Sequence, residues 1–172
     1  VLVRISVENK KAMVDLNTKF GTAPDNALNL LRKAQEAGLR AAGICFHVGS
    51  QSLAAEAYEE ALLLCRRLFD EAKATGLELT KLDIGGGLPA PSADGLPVDL
   101  AVMMQSINRQ IERLFPETEV WSEPGRYMCS TAVNLVTSVI GTKQRGDESW
   151  YILDEGVYGA LSGVIFDHWT YE

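Results

Sequence analysis

Lys81-Leu82-Asp83-Ile84-Gly85-Gly86-Gly87-Leu88 is a short apolar run that breaks into three consecutive glycines. A run of this length ending in such a breaker reads as a buried strand delivered into a loop. Three residues without Cβ let the backbone turn tightly, take positive φ and aim its N–H groups at an anion, for which phosphate is the natural occupant. The same glycines also fit a tight turn where one backbone passes close to another, and a lone glycine motif does not separate the two.

Working outward, the preceding apolar run, Ala41 to Phe46, is a second strand that ends in His47-Val48-Gly49-Ser50-Gln51. A helix follows it, with Ala57, Ala61, Leu64 and Leu68 on one face and Gly76 as its stop. Further upstream, Val1-Leu2-Val3-Arg4-Ile5-Ser6-Val7 has a β pattern, and Gly21 to Asp25 supplies turn and helix-start chemistry. Ala27, Leu30, Leu31 and Ala34 then recur at helical spacing until Gly38. Downstream, the loop from Pro89 to Pro97 leads to a helix from near Asp99 that carries Met103, Ile107, Ile111 and Leu114 inward and stops at Pro116. The fourth strand, Glu119-Val120-Trp121-Ser122, runs straight into Glu123-Pro124-Gly125-Arg126. Strands alternating with helices at roughly 40-residue spacing are the mark of parallel βαβ units.

From Ala132 the rhythm changes. Val133, Leu135, Val139 and Ile140 lie in a β-rich stretch, Lys143 to Glu148 reads as a polar turn, and Trp150 to Leu153 as another strand. The reading is therefore an α/β domain over residues 1–130, followed over 131–172 by the start of a second, mainly antiparallel β domain. The chain opens inside a β pattern with no initiator Met, so the expectation is a piece of a longer protein.

The composition, 47% hydrophobic and 23% charged over 172 residues, is that of a globular chain. A net charge of -7 argues against nucleic acid or an anionic membrane as partner, since both need clustered Lys and Arg. No stretch approaches the ~18 apolar residues of a membrane-spanning helix. Cys45, Cys65 and Cys129 lie far apart without a C-x-x-C, which suggests neither a disulfide framework nor a metal site and fits reduced thiols in the cytoplasm, with Cys65 in the core.

Ligands of parallel α/β folds gather at the carboxyl ends of the strands, and every unusual residue of this chain falls there. His47 is either a satisfied structural histidine or a flat ring that stacks on another ring. Ser50 is placed to cap the following helix, to bind phosphate, or both. Glu123 to Arg126 is either a turn with an ion pair or a carboxylate that emerges from a buried strand to meet a protonated heterocycle nitrogen. Together these parts describe a pocket for a planar, phosphorylated, basic heteroaromatic, which is a description of pyridoxal 5'-phosphate.

The ordered motifs Phe46-His47-Val48-Gly49-Ser50, Leu82-Asp83-Ile84-Gly85-Gly86-Gly87, Glu123-Pro124-Gly125-Arg126-Tyr127, Gly156-Val157-Tyr158-Gly159 and Phe166-Asp167-His168 closely resemble the ornithine and lysine/ornithine decarboxylases. These are fold-type III pyridoxal phosphate enzymes built like alanine racemase. The resemblance implies the last four strands of a cofactor-binding (β/α)8 barrel and the beginning of a β domain. It also implies that His47 stacks on the pyridine ring, that Ser50, Gly86, Gly87, Gly125 and Arg126 hold the phosphate, and that Glu123 pairs with the ring nitrogen. Arg4 matches an arginine near the cofactor's phenolic oxygen, and Asp167 the aspartate that receives the substrate's distal amino group. Tyr158 lies in a segment that helps form the interface of a homodimer whose active sites are shared between subunits.

The implied reaction is decarboxylation of ornithine or lysine to a diamine in the full-length protein, without metal. Diaminopimelate decarboxylases share several of these motifs, and Gln51 is reminiscent of them; Asp167 would repel their substrate's second carboxylate and suits a cationic tail. A non-catalytic regulator of the antizyme-inhibitor kind is the other alternative. The family's lysine, which bonds the cofactor's aldehyde, and its Cys-Asp pair match nothing in this chain. Lys10, Lys11, Lys19, Lys33, Lys73, Lys81 and Lys143 lie outside the cofactor motifs, and Cys129 is in the wrong motif. The 172-residue chain alone is therefore expected to be inactive and, with open strand edges, to associate.

Overall fold

The computed structural model describes residues 1–9, 12, 16–17, 19–91, 95–167 and 169–171. Lys10, Lys11, His168 and residues 92–94 of the Pro89–Pro97 loop lie outside the described residues. The chain divides into two compact units, Val1–Ser130 and Thr131–Glu172.

In the first unit the apolar runs form four strands, β1 (Leu2–Arg4), β2 (Gly43–Cys45), β3 (Lys81–Asp83) and β4 (Glu119–Trp121). They pair in parallel in chain order, β1-β2-β3-β4. Leu2, Gly43, Lys81 and Glu119 share one rung, and Arg4, Cys45, Asp83 and Trp121 share the rung two residues on. Successive side chains alternate between faces, so these two rungs lie on one face of the sheet and Val3, Ile44, Leu82 and Val120 on the other. Backbone bonds carry the pairing past the named strands at both ends: the Ala42 amide donates to the Val1 oxygen (2.9 Å) and the Phe46 amide to the Asp83 oxygen (3.0 Å), and Ile5, just past β1, donates to the Cys45 oxygen (2.9 Å) and bridges Thr22.

The connections are α1 (Ala27–Glu36), entered through a 3-10 turn at Pro24–Asn26, then α2 (Ala55–Ala74) and α3 (Leu100–Leu114). Strands that follow one another in space as in sequence, joined by crossovers of one hand, put all their helices on one face. That face holds the core: Ile44 and Leu82 are fully buried together with Leu31 of α1, Leu62, Cys65 and Leu68 of α2, and Ile107 of α3. The opposite face is polar. Lys81 pairs with Glu119 and its ammonium lies 4.4 Å from the Trp121 ring centroid, one rung below Arg4 and Asp83. Beyond β4 the Glu-Pro-Gly-Arg stretch, read from sequence as a turn or a site loop, folds from Gly125 as the short helix α4 (Gly125–Cys129).

The second unit contains an antiparallel pair, β5 (Val139–Arg145) and β6 (Glu148–Leu153), and the four-residue helix α5 (Gly163–Phe166). The expected polar turn at Lys143 to Glu148 is corrected. Lys143, Gln144 and Arg145 belong to β5, opposite Trp150, Ser149 and Glu148, and only Gly146 and Asp147 make the turn. In an exposed two-stranded ribbon polar residues pair across strands as readily as apolar ones, and the Arg145 guanidinium lies 4.8 Å from the Trp150 ring. Among the described residues no helix is long and apolar enough to cross a membrane.

Candidate active site

The triple-glycine loop is held by its carbonyls. Asp83, buried at the end of β3, accepts the Gly85 amide on Oδ1 (2.8 Å) and so starts the turn, with Gly85 at φ +66° and Gly87 at φ +105°. A Cβ on Gly85, Gly86 or Gly87 would come within 2.2, 2.3 and 2.3 Å of the carbonyl oxygens of Phe46, Glu123 and Gly49 respectively. Backbones therefore do pass close here, as one sequence reading had it. The Gly85 oxygen accepts the Glu123 amide (2.7 Å), the Gly86 oxygen the Tyr58 hydroxyl (2.9 Å), and the Gly87 oxygen the Ser52 amide (2.8 Å). In a trans peptide the following N–H points opposite to the carbonyl. The Gly86 and Gly87 amides accordingly face away from these clamps, and they donate to no group among the described residues. The loop is thus closely packed on its carbonyl side and leaves two amides open on the other.

The loop after β2 closes over these glycines. His47 is half-buried and its Nδ1 accepts the Gly49 amide (3.0 Å), so the neutral ring carries its proton on Nε2, 3.2 Å from where a Gly86 Cβ would stand. Burial lowers the His47 pKa from 6.5, the Arg4 guanidinium lowers it further, and Asp83 opposes both. Gln51, buried at φ +55°, binds Ala90 in both directions: its Oε1 accepts the Ala90 amide (2.6 Å) and its Nε2 donates to the Ala90 oxygen (3.4 Å). Asn9 donates to the Val48 oxygen (2.7 Å) and the Ser52 hydroxyl (3.0 Å).

Ser50 does not cap α2, which begins at Ala55 after Ala54 with no side-chain cap. Its hydroxyl instead accepts the Arg126 Nε (3.1 Å), tying the β2 loop to α4 across the glycines. The expectation that Glu123 emerges from a buried strand is also corrected. Among the described residues β4 pairs with β3 alone, its side chains are at most half-buried, and Glu123 is exposed in this chain. Glu123 still belongs to the same polar face: Cys45, whose thiol burial pushes up to about 11, feels the Asp83 and Glu123 charges in the same direction and Arg4 in the other. Gly125 donates its amide to the Glu123 oxygen (2.8 Å) and has open space where a Cβ would project.

The first unit thus brings together Arg4, His47, Ser50, Gly86, Gly87, Glu123, Gly125 and Arg126. Asp167 belongs to the second unit, where it follows α5 and donates its amide to the Gly163 oxygen (3.0 Å). Tyr58 and Ser52, which shape the loops, were not singled out from sequence, while Asp83 and Gln51 were read there only as members of the motifs that carry the resemblance. Asp two residues before a glycine at a strand end is a local signal for Asp83's bond, whereas no local pattern marks Tyr58.

Pyridoxal 5'-phosphate fits this group of residues. The buried Nε and Nη2 of Arg4 have no hydrogen-bond partner among the described residues, although the guanidinium lies 5.0 Å from the Phe20 ring. Buried donors of this kind are costly unless something accepts from them, and an oxygen-rich anion meets that need. The two open glycine amides call for the same chemistry.

The chain belongs to the pyridoxal-dependent decarboxylases, whose pyridoxal-binding domain matches its residues 1–130. It is 71% identical over 171 residues to the lysine/ornithine decarboxylase of Selenomonas ruminantium, covering 99% of this chain and 44% of that one. Among solved structures it superposes with a TM-score of 0.91 on a mutant SrLDC in complex with pyridoxal phosphate, at 70% identity over 99% of this chain and 44% of that one. Its TM-score is 0.85 to the lysine/ornithine decarboxylase of Vibrio vulnificus complexed with cadaverine, at 37% identity over 99% of this chain and 44% of that one. The α/β fold, the family and the cofactor expected from sequence agree with these findings. The chain spans less than half the length of the relatives it matches.

Proposed function

We propose that the full-length protein carrying this sequence removes the α-carboxylate of lysine or ornithine with pyridoxal 5'-phosphate as cofactor. The observation that carries the reading is the loop clamped by its carbonyls, with two amides left open beside Arg126, His47 and the unpaired Arg4. The 71% identity to a lysine/ornithine decarboxylase supports the substrate class.

When bound, pyridoxal phosphate supplies a pyridinium ring that accepts the electron pair left by departing CO₂. The Gly86 and Gly87 amides, Ser50, Arg126 and the open approach at Gly125 hold its phosphate. The Glu123 carboxylate keeps a proton on the ring nitrogen. His47, neutral near pH 7, lays a flat uncharged ring against the cofactor, and Arg4 donates to its phenolic oxygen. Asp167 receives the substrate's distal ammonium, which selects a cationic tail over a second carboxylate. The lysine that bonds the cofactor and the family's Cys-Asp pair come from the rest of the protein, so the 172-residue chain alone carries no activity. The full-length protein works as a homodimer, a reading that rests on Tyr158 lying in the segment that resembles the family's interface.

The test is a panel of lysine, ornithine, arginine and diaminopimelate given to the full-length protein with cofactor, reading CO₂ and diamine. Cadaverine or putrescine is the expected product. CO₂ from diaminopimelate alone would transfer the assignment to that alternative, and no CO₂ from any of the four would favour a non-catalytic regulator.

A further inference from the structure

We propose that Tyr58 is a positioning residue for the cofactor's phosphate, acting through the Gly86 peptide; the inference rests on the cradle described above. Of the three carbonyls in the loop, Gly85 and Gly87 are held by backbone amides, of Glu123 and Ser52, which almost any residue would supply. Gly86 alone is held by a side chain, the phenol of Tyr58, which is 1% exposed and reaches up from the first turn of α2 (2.9 Å).

The position of that clamp matters. Helix α2 packs on the core face of the sheet, whereas Arg4, Asp83 and Trp121 occupy the opposite face. Pulling the Gly86 oxygen toward the helix layer turns the Gly87 N–H, on the same peptide plane, away from that layer. Gly86 and Gly87 flank this peptide, and neither has the Cβ that would restrict its rotation. Without the phenol the peptide is free to turn over, and the Gly87 amide loses its aim. Burial raises the phenol's pKa, so the hydroxyl keeps the proton it donates.

The experiment compares pyridoxal 5'-phosphate with pyridoxal, the same ring without the phosphate, by equilibrium binding to the full-length apo-protein. Tyr58→Phe keeps the ring and deletes the donor. Its expected effect is a loss of roughly tenfold in affinity for pyridoxal 5'-phosphate, the upper range for one hydrogen bond, with pyridoxal binding unchanged. Tyr58→Met, a flexible side chain that removes the hydroxyl by another route, should give the same selective loss. Phe69→Leu, a core change further along α2, should alter neither constant. An unchanged affinity for pyridoxal 5'-phosphate, or an equal loss for both ligands, would overturn the proposal. Wild-type protein that binds pyridoxal as tightly as pyridoxal 5'-phosphate would remove the cradle itself, a failure seen before any variant is made.

Discussion

His47 shows how a single residue draws its properties from its neighbours. Its Nδ1 is occupied by the Gly49 amide, and burial and Arg4 both disfavour its cationic form. A base whose folded pKa is depressed below 6.5 takes up its proton later in the folded state than in the unfolded state. Its contribution to stability is complete above pH 6.5 and drains away as the pH falls from there through the folded pKa. Wild-type apo-protein should therefore lose stability relative to His47→Gln on going from about pH 7.5 to about pH 5, read as denaturation midpoints. A difference that stays flat across that range would contradict the assigned environment. At this scale the residues with distinctive chemistry, His47, Ser50, Glu123 and Arg126, were legible in sequence because each stands at a strand end. Tyr58 was not, and Gln51 was noted only as a motif residue, since their roles depend on which groups the folded loops bring within reach.

At the level of elements, helix boundaries were legible where local chemistry sets them. Asp99 was read as the start of α3, and its side chain accepts the Val102 amide (3.1 Å). Replacing it with Ala should cost about 1 kcal/mol, whereas Asn should retain most of the cap; thermal unfolding of the two variants checks this, and equal losses would argue against the cap. The α2–α3 contact had no such signal. There Arg66 donates to the Leu114 oxygen (3.1 Å) and its guanidinium lies 5.6 and 5.3 Å from the rings of Phe69 and Phe115, which themselves meet edge to face. In the β5–β6 pair the hydrophobic pattern failed at Lys143 to Arg145, because a ribbon exposed on both faces puts no premium on alternation.

At the scale of the molecule, one sense of winding explains why the chemistry is where it is. With α1, α2 and α3 on one face, the other face of the first unit's sheet is released from core packing and carries Arg4, Cys45, Lys81, Asp83 and Glu119. The carboxyl ends of the strands then deliver four loops to one place. The alternation of strand and helix was readable from periodicity alone; the polar face was not, since three-residue strands carry too few side chains to show it. The central claim is that the open amides of this loop hold the cofactor's phosphate. The most direct test is a crystal structure of the full-length protein with pyridoxal 5'-phosphate. The account predicts phosphate oxygens at about 3 Å from the Gly86 and Gly87 amide nitrogens, on the side away from Tyr58. A phosphate bound elsewhere, with those two amides facing water, would contradict it.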